Sequence, residues 1–264
     1  MQFKKLATAL AALSLASLSH AADFVNGGFE TGTASGWIIG GGSRSSQNLS
    51  TLNPSDYLPG GSRYTASIAN SHSQVVSRGL DPLFGSLMPN IVYNGNYSLR
   101  VEDLTSGGFV SVASQTVTNY TESNIFFSWL AVLENGGHSA EQSAAMIIQL
   151  KDLTAGDTPI SRIYNAVGGG GGVDSRFTQS GAFYYTAAWQ EETLAIDASR
   201  QGHDFALTVL ASDCAPTGHE GYVYLDGFRT TAVDPGTTVP EPSTALLCGA
   251  ALLGLTQARR RKQG

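Results

Sequence analysis

Apolar runs along the chain are short, many alternate with polar positions, and turn-forming residues break them at frequent intervals. The segments 64–69, 97–102, 109–118, 125–133, 145–153, 193–197, 205–211 and 222–229 are rich in β-branched and aromatic residues. Gly, Asn, Ser or Pro separates them, which is the pattern of strands joined by turns. In Tyr97-Ser98-Leu99-Arg100-Val101 the apolar side chains fall on one face and Ser98 and Arg100 on the other, predicting a half-buried antiparallel strand. Residues 125–133 are nearly continuously apolar, predicting a central strand. No long helical period lies between these segments, so the pattern predicts an all-β, antiparallel β-sandwich. Two glycine-rich stretches predict loops: Gly40-Gly41-Gly42 through Gly61, and the five glycines that follow Val167. The second lacks the Lys-Ser or Lys-Thr and the helix of a phosphate loop, so it reads as a flexible turn.

The two ends of the chain have a different character. Residues 1–21 carry Lys4 and Lys5, an apolar run from Leu6 to Leu18, and the small-residue triplet Ser19-His20-Ala21. This predicts a secretory signal peptide that signal peptidase cleaves after Ala21. Residues 22–231 then form the β-sandwich domain, and 232–238, with Pro235-Gly236-Thr237-Thr238, form a linker. In 239–264, Val239-Pro240-Glu241-Pro242-Ser243 leads into an apolar run from Thr244 to Leu255 and ends on Arg259, Arg260, Arg261 and Lys262. A membrane-crossing helix needs about 20 apolar residues, so this run is a short membrane helix whose cations stay on the cytoplasmic side. Pro240 and Pro242 hold Glu241 extended and exposed. Physical chemistry alone leaves open a weak anchor, a surface-docked helix or a shape that a protease reads.

That tail resembles the PEP-CTERM sorting signal of exopolysaccharide-producing Gram-negative bacteria, over about the last tenth of the chain. The resemblance implies that an exosortase, an integral-membrane transpeptidase-like enzyme, recognises Pro240-Glu241-Pro242, removes the tail and passes the rest outward. The precursor is then membrane-associated and the product lies at the cell surface or outside it, with exopolysaccharide and biofilm as its setting.

The whole chain has a formal net charge of −6. Much of its positive charge sits in the two ends, as Lys4, Lys5, Arg259, Arg260, Arg261 and Lys262, so the domain between them is more acidic still, with Lys151 its only lysine. Such a surface repels nucleic acid and anionic lipid and suits cation binding or simple solubility. Of the two cysteines, Cys248 belongs to the tail, which leaves Cys214 without a disulfide partner in the exported domain, either buried or reactive.

The stretch Asp23-Phe24-Val25-Asn26-Gly27-Gly28-Phe29-Glu30-Thr31-Gly32, with Gly36-Trp37 after it, resembles the opening of galactose-binding-like jelly rolls, the fold of many carbohydrate-binding modules. The resemblance implies a jelly-roll sandwich in which an early Glu and a late Asp share a structural calcium ion, here Glu30 and Asp226. Hard carboxylate oxygens suit that ion. As residues alone, Glu30 equally fits a solvated turn and Asp226 a strand-end acid bonded to backbone. Two Gly-containing loops each carry an acid and a histidine, Glu134 with His138 and Asp213 with His219. Together with Ser77 to Pro82 and Gly95 to Arg100 they resemble, more loosely, a jelly-roll family of bacterial surface and adhesion proteins; Cys214 departs from it by lacking a cysteine partner. The four loop residues would supply a transition-metal site, although their spacing matches no zinc template, or histidine–carboxylate bonds that lock the loops. Trp37, Trp129, Trp189, Tyr184 and Tyr185 offer either core or a sugar-stacking platform.

No Gly-x-Ser-x-Gly elbow is present, and no carboxylate pair for glycoside hydrolysis can be singled out. The expected function is a non-catalytic surface or matrix protein associated with extracellular polysaccharide. The alternatives are a polysaccharide-acting enzyme that uses Glu134, His138, Asp213 or His219, and a structural or adhesive module without glycan affinity.

Overall fold

The computed structural model of the protein describes residues 23–45, 47–167 and 172–232. The expected signal peptide, the sorting tail with its membrane helix, and most of the glycine run lie outside the described residues. Among the described residues no helix is long and apolar enough to cross a membrane.

Two antiparallel sheets pack face to face as an all-β jelly-roll sandwich. One has the order β1 (Ile38–Ser43), β4 (Phe109–Tyr120), β11 (His203–Ser212), β6 (Ala145–Asp152), β7 (Asp157–Asn165). The other runs β2 (Gln74–Ser77), β3 (Tyr97–Val101), β12 (Gly221–Arg229), β5 (Asn124–Glu134), β9 (Phe183–Thr186), β8 (Phe177–Ser180), with β10 (Gln190–Ala195) also paired to β5. The central β5 bonds β12 along one edge and, on the other, β10 through Asn124–Trp129 and β9 through Val132–Glu134. Pro159 lies in β7, an edge strand, where its missing N–H breaks no ladder.

Between the sheets lies a core that includes Val117, Phe127, Trp129, Ile148, Leu207, Val209 and Leu225. The opening segment closes one end of it: Phe24, Phe29 and Trp37 gather round Phe228, which stacks on Phe127 with ring centroids 4.8 Å apart. Each sheet also has its outer face covered. Leu49, Leu52 and Tyr57 pack on Val110, Val112, Ile147 and Leu210 of the first sheet. Phe84, Met88 and Ile91 pack on Leu130, Val132, Tyr222 and Tyr224 of the second. This double burial explains the nearly continuous apolar run of β5 without any helical layer.

It also corrects the half-buried reading of 97–101. Ser98 is buried and donates to Ile91 O at 2.6 Å, because the segment before β3 folds back over it. The expected strand at 64–69 is instead the start of a helix, α1 (Ala66–His72), followed at once by β2. The expected loop at Gly40-Gly41-Gly42 is the buried middle of β1. These glycines are required by close approach, since a Cβ at Gly40 would collide with Tyr57 O and one at Gly42 with Arg63 O.

One buried cation joins these pieces at one end of the sandwich. Arg44, directly after β1, is fully buried. Its Nη1 donates to Ser143 O at 2.6 Å, to Asp213 O and to Ser212 Oγ, its Nη2 to Glu141 O at 3.1 Å, and its Nε to Gln47 O at 3.2 Å. Burial lowers its pKa to about 10, against the opposing charges of Cys214, Tyr57, Asp213 and Glu141, so it stays protonated at neutral pH. Replacing it with an apolar residue of similar length leaves several buried carbonyls unpaired, at roughly 1–3 kcal/mol for each group stranded. Arg44→Met is therefore expected to lower unfolding free energy by about 3 kcal/mol or more, read from the urea midpoint, with Arg44→Lys recovering part of the loss.

Candidate functional site

The acids Glu30 and Asp226 act on one short segment of chain. Asp226, buried near the end of β12, accepts the N–H groups of Tyr93 and Asn94 through Oδ2 at 2.9 and 3.1 Å and that of Gly227 through Oδ1 at 2.7 Å. Glu30 accepts those of Asn96 and Tyr97 at 2.9 and 3.1 Å. The two side chains lie on either hand of Gly28, where an added Cβ would sit 3.6 Å from Asp226 Oδ1 and 3.7 Å from Glu30 Cγ. Burial, with the Glu30 charge adding to it, pushes the Asp226 carboxyl up to about 7, against the pull of its backbone N–H donors. Asn26 and Phe29 hold left-handed backbone at φ 53° and 57°, folding residues 26–30 tightly under that carboxylate pair. The carboxylate oxygens of both acids are of the hard type that calcium takes, and here they accept backbone N–H groups.

The segment that these acids hold carries an aromatic shelf. Tyr93 is 43% exposed, and its ring lies 5.6 Å from that of half-buried Trp189, tilted by 59°. Trp189 Nε1 donates to Asn90 O at 2.9 Å, which fixes the indole. Of the aromatics singled out from the sequence, Trp37, Trp129, Tyr184 and Tyr185 are buried; Trp189 alone among them keeps a partly open face. Tyr93 was missed, and its signal was a tyrosine between Val92 and the turn residues Asn94-Gly95-Asn96.

At the start of β12 the two acid–histidine loops do meet, in a different arrangement from a histidine–carboxylate lock. His138 Nε2 lies 3.2 Å from His219 Nδ1, and Cys214 Sγ lies 3.3 Å from the same nitrogen. Glu134 turns instead to backbone, with Oε2 accepting Glu220 N–H at 3.0 Å. Burial, and then Glu134, push the Glu220 carboxyl up to about 7. Asp213 faces away from the histidines and accepts Phe109 N–H at 3.2 Å and Gly221 N–H at 3.3 Å. The four candidates thus share a loop end without converging on one point. Cys214 is buried, and burial pushes its thiol pKa up.

On the other side of Asp213 stands a group not foreseen from the sequence. His72, the last residue of α1, brings Nδ1 to 2.5 Å from Glu102 Oε1 and 3.5 Å from Asp103 Oδ2. Glu102 is fully buried at φ 69°, and its Oε2 has no hydrogen-bond partner among the described residues. The Glu102 hydrogen bond raises the His72 pKa despite partial burial. Burial, with Glu102 adding to it, pushes the Asp213 carboxyl up to about 8.

No protein-family model matches the chain, and no curated protein matches it. Among solved structures it is similar to the carbohydrate-binding module TmCBM61 in complex with β-1,4-galactotriose, at 15% identity and TM-score 0.42, over 79% of this chain and 97% of the other. It is also similar to CBM28, a non-crystalline-cellulose-specific carbohydrate-binding module, at 13% identity and TM-score 0.38, over 80% and 96% of the two chains. A third is the K2 cleaved adhesin domain of Lys-gingipain, at 12% identity and TM-score 0.35, over 78% and 97%. At such identities and scores nothing about ligand or activity passes to this chain.

His72 and Asp213 both bind protons more tightly folded than unfolded. The His72 contribution is complete below its unfolded value of 6.5 and is lost as pH rises through its raised folded value. Asp213 adds a loss in the same direction between 3.8 and about 8. Unfolding free energy is therefore expected to fall from about pH 4 to pH 8, with His72 adding to the fall above pH 6.5, and His72→Gln to flatten that upper part. A stability that rises over this window would contradict the assignment.

Proposed function

We propose that the chain is an exported, non-catalytic surface module that binds an extracellular polysaccharide on the Tyr93–Trp189 shelf. The observation that carries this reading is the half-open aromatic pair, fixed before any ligand arrives. Aromatic faces suit the apolar C–H faces of sugar rings, and rings already locked lose little entropy on binding. Trp189 is held by Asn90, and Tyr93 by the Asp226 carboxylate beneath its backbone, with its ring over Gly227. The acidic balance of the chain favours a neutral polymer over an anionic one.

Export rests on the signal-peptide pattern of 1–21 and on the tail. In this reading signal peptidase cuts after Ala21, and an exosortase acts at Pro240-Glu241-Pro242 once the tail helix holds the precursor in the membrane. The domain between, 22–231, reaches the cell surface or the biofilm matrix by way of the 232–238 linker.

Calcium belongs to the same reading as a structural ion. Glu30 and Asp226 would hold it, and the ion would supply charge neutralisation, letting Asp226 ionise while it continues to anchor residues 93 and 94. Glu30 also fixes 96 and 97, so the ion's effect would reach the shelf through backbone.

In affinity electrophoresis against the host's own exopolysaccharide and a panel of neutral soluble glycans, Trp189→Ala and Tyr93→Ala are each expected to weaken binding roughly tenfold. Retardation by a glycan that both variants retain unchanged would sink the shelf. For the ion, added calcium is expected to raise the melting temperature of the natural protein and to leave Asp226→Asn unmoved. An equal rise in both proteins would place the ion elsewhere.

A further inference from the structure

We propose that His138, Cys214 and His219 form a zinc site that clips together the loop after β5 and the loop between β11 and β12. The three ligand atoms, His138 Nε2, Cys214 Sγ and His219 Nδ1, all lie within 4.8 Å of one another. Two of the three separations are 3.2 Å, between the nitrogens, and 3.3 Å, from sulfur to His219 nitrogen. Tetrahedral zinc, with bonds of about 2.05 Å to nitrogen and 2.3 Å to sulfur, sets such edges at roughly 3.3–3.6 Å. The donors are thus spaced to within a few tenths of an ångström of those two edges of a coordination tetrahedron.

Protons alone serve this arrangement poorly. An imidazole nitrogen offers one in-plane direction, occupied by either a hydrogen or a lone pair. His219 Nδ1 is approached by both a nitrogen and a sulfur, and one hydrogen cannot point along both contacts. An ion between the three uses one lone pair from each, with Cys214 binding as the thiolate and releasing its proton.

The backbone builds the arrangement deliberately. Cys214 N–H donates to His219 O at 3.1 Å, closing the loop so that both side chains face inward. Gly136 lets the opposing loop lie flat on His219, since a Cβ there would collide with the imidazole. Arg44 ties both loops to one point through Ser143 O and Asp213 O. Cys214 is the buried floor, and half-buried His138 and His219 form the walls, leaving an entry path. A donor set of one thiolate and two imidazoles selects a borderline or soft metal over calcium or magnesium, and the fourth corner is left to water. The clip supplies a cross-link to Cys214 in a domain that has no disulfide partner for it.

Full-length protein, stripped with chelator and kept reduced, would be titrated with Co²⁺ as a spectroscopic stand-in for zinc. Expected are one bound equivalent, d–d bands of tetrahedral intensity, a thiolate-to-cobalt charge-transfer band, and displacement of all of these by zinc. Cys214→Ser should abolish the charge-transfer band, and His138→Ala, a change in a partly exposed loop, should weaken binding at least tenfold. Zinc at a hundredfold excess over the natural Kd should raise the melting temperature of the natural protein by roughly 5–10 °C and that of His138→Ala by no more than about half as much. Absence of the thiolate band in the natural protein, its persistence in Cys214→Ser, or an equal thermal shift in His138→Ala would each overturn the site.

Discussion

Arg44 is a buried guanidinium whose hydrogen bonds end on backbone carbonyls and one hydroxyl rather than on a carboxylate. A buried charge without full hydrogen bonding is costly, so the carbonyls of Gln47, Glu141, Ser143 and Asp213 must all stay turned toward it. That requirement brings together the end of β1, the loop after β5 and the end of β11. The acid–histidine loops meet because each is bonded to the same side chain. Asp213 is pinned through its carbonyl, which leaves its carboxylate to bond Phe109 and Gly221 on the side away from His219.

The two sheets show a second constraint. A sandwich with solvated outer faces needs strict alternation along its strands, whereas here long excursions cover both faces. The 49–57 stretch lies on one sheet and the 84–91 stretch on the other. Much of the fold was legible on this basis. From 97 onward β3, β4, β5, β6, β10, β11 and β12 follow the runs of β-branched and aromatic residues, whereas β7, β8 and β9 fall between those runs, and β5 sits at the centre, as its continuous apolar run required. The misreadings have a common cause. Gly40-Gly41-Gly42 looks like a loop because glycine has little intrinsic strand preference, and the need for glycine comes from segments 57–63 crossing the strand at backbone distance. At 64–69 local composition favoured a strand, while contact with β1 and β4 shaped the stretch into the first turns of α1. Both were decided by partners distant in sequence.

The candidate site was legible to a similar extent. Glu30 and Asp226 could be named as a pair from resemblance, and their placement beside Gly28 follows from the packing of the opening segment against β12. What they hold could not be read, because Tyr93 and Trp189 are far apart in sequence and meet only when 78–96 folds across the second sheet. His138 and His219 were legible as candidate metal ligands, but with Glu134 and Asp213 as their partners in place of Cys214, because a Cys–x4–His spacing matches no standard metal template. His72 and Glu102 had no sequence signal, since their contact depends on α1 being helical and on a left-handed backbone at Glu102.

In the proposed reading the two ends of the chain supply the route by which the domain leaves the cell. Intact mass of the protein recovered from the outer surface and medium of its host tests that claim most directly. The account predicts a chain that begins at Ala22 and ends between Pro240 and Ser243, with or without an added group. A mass that still contains Arg259 to Gly264 would contradict it, because the tail would then be a retained anchor.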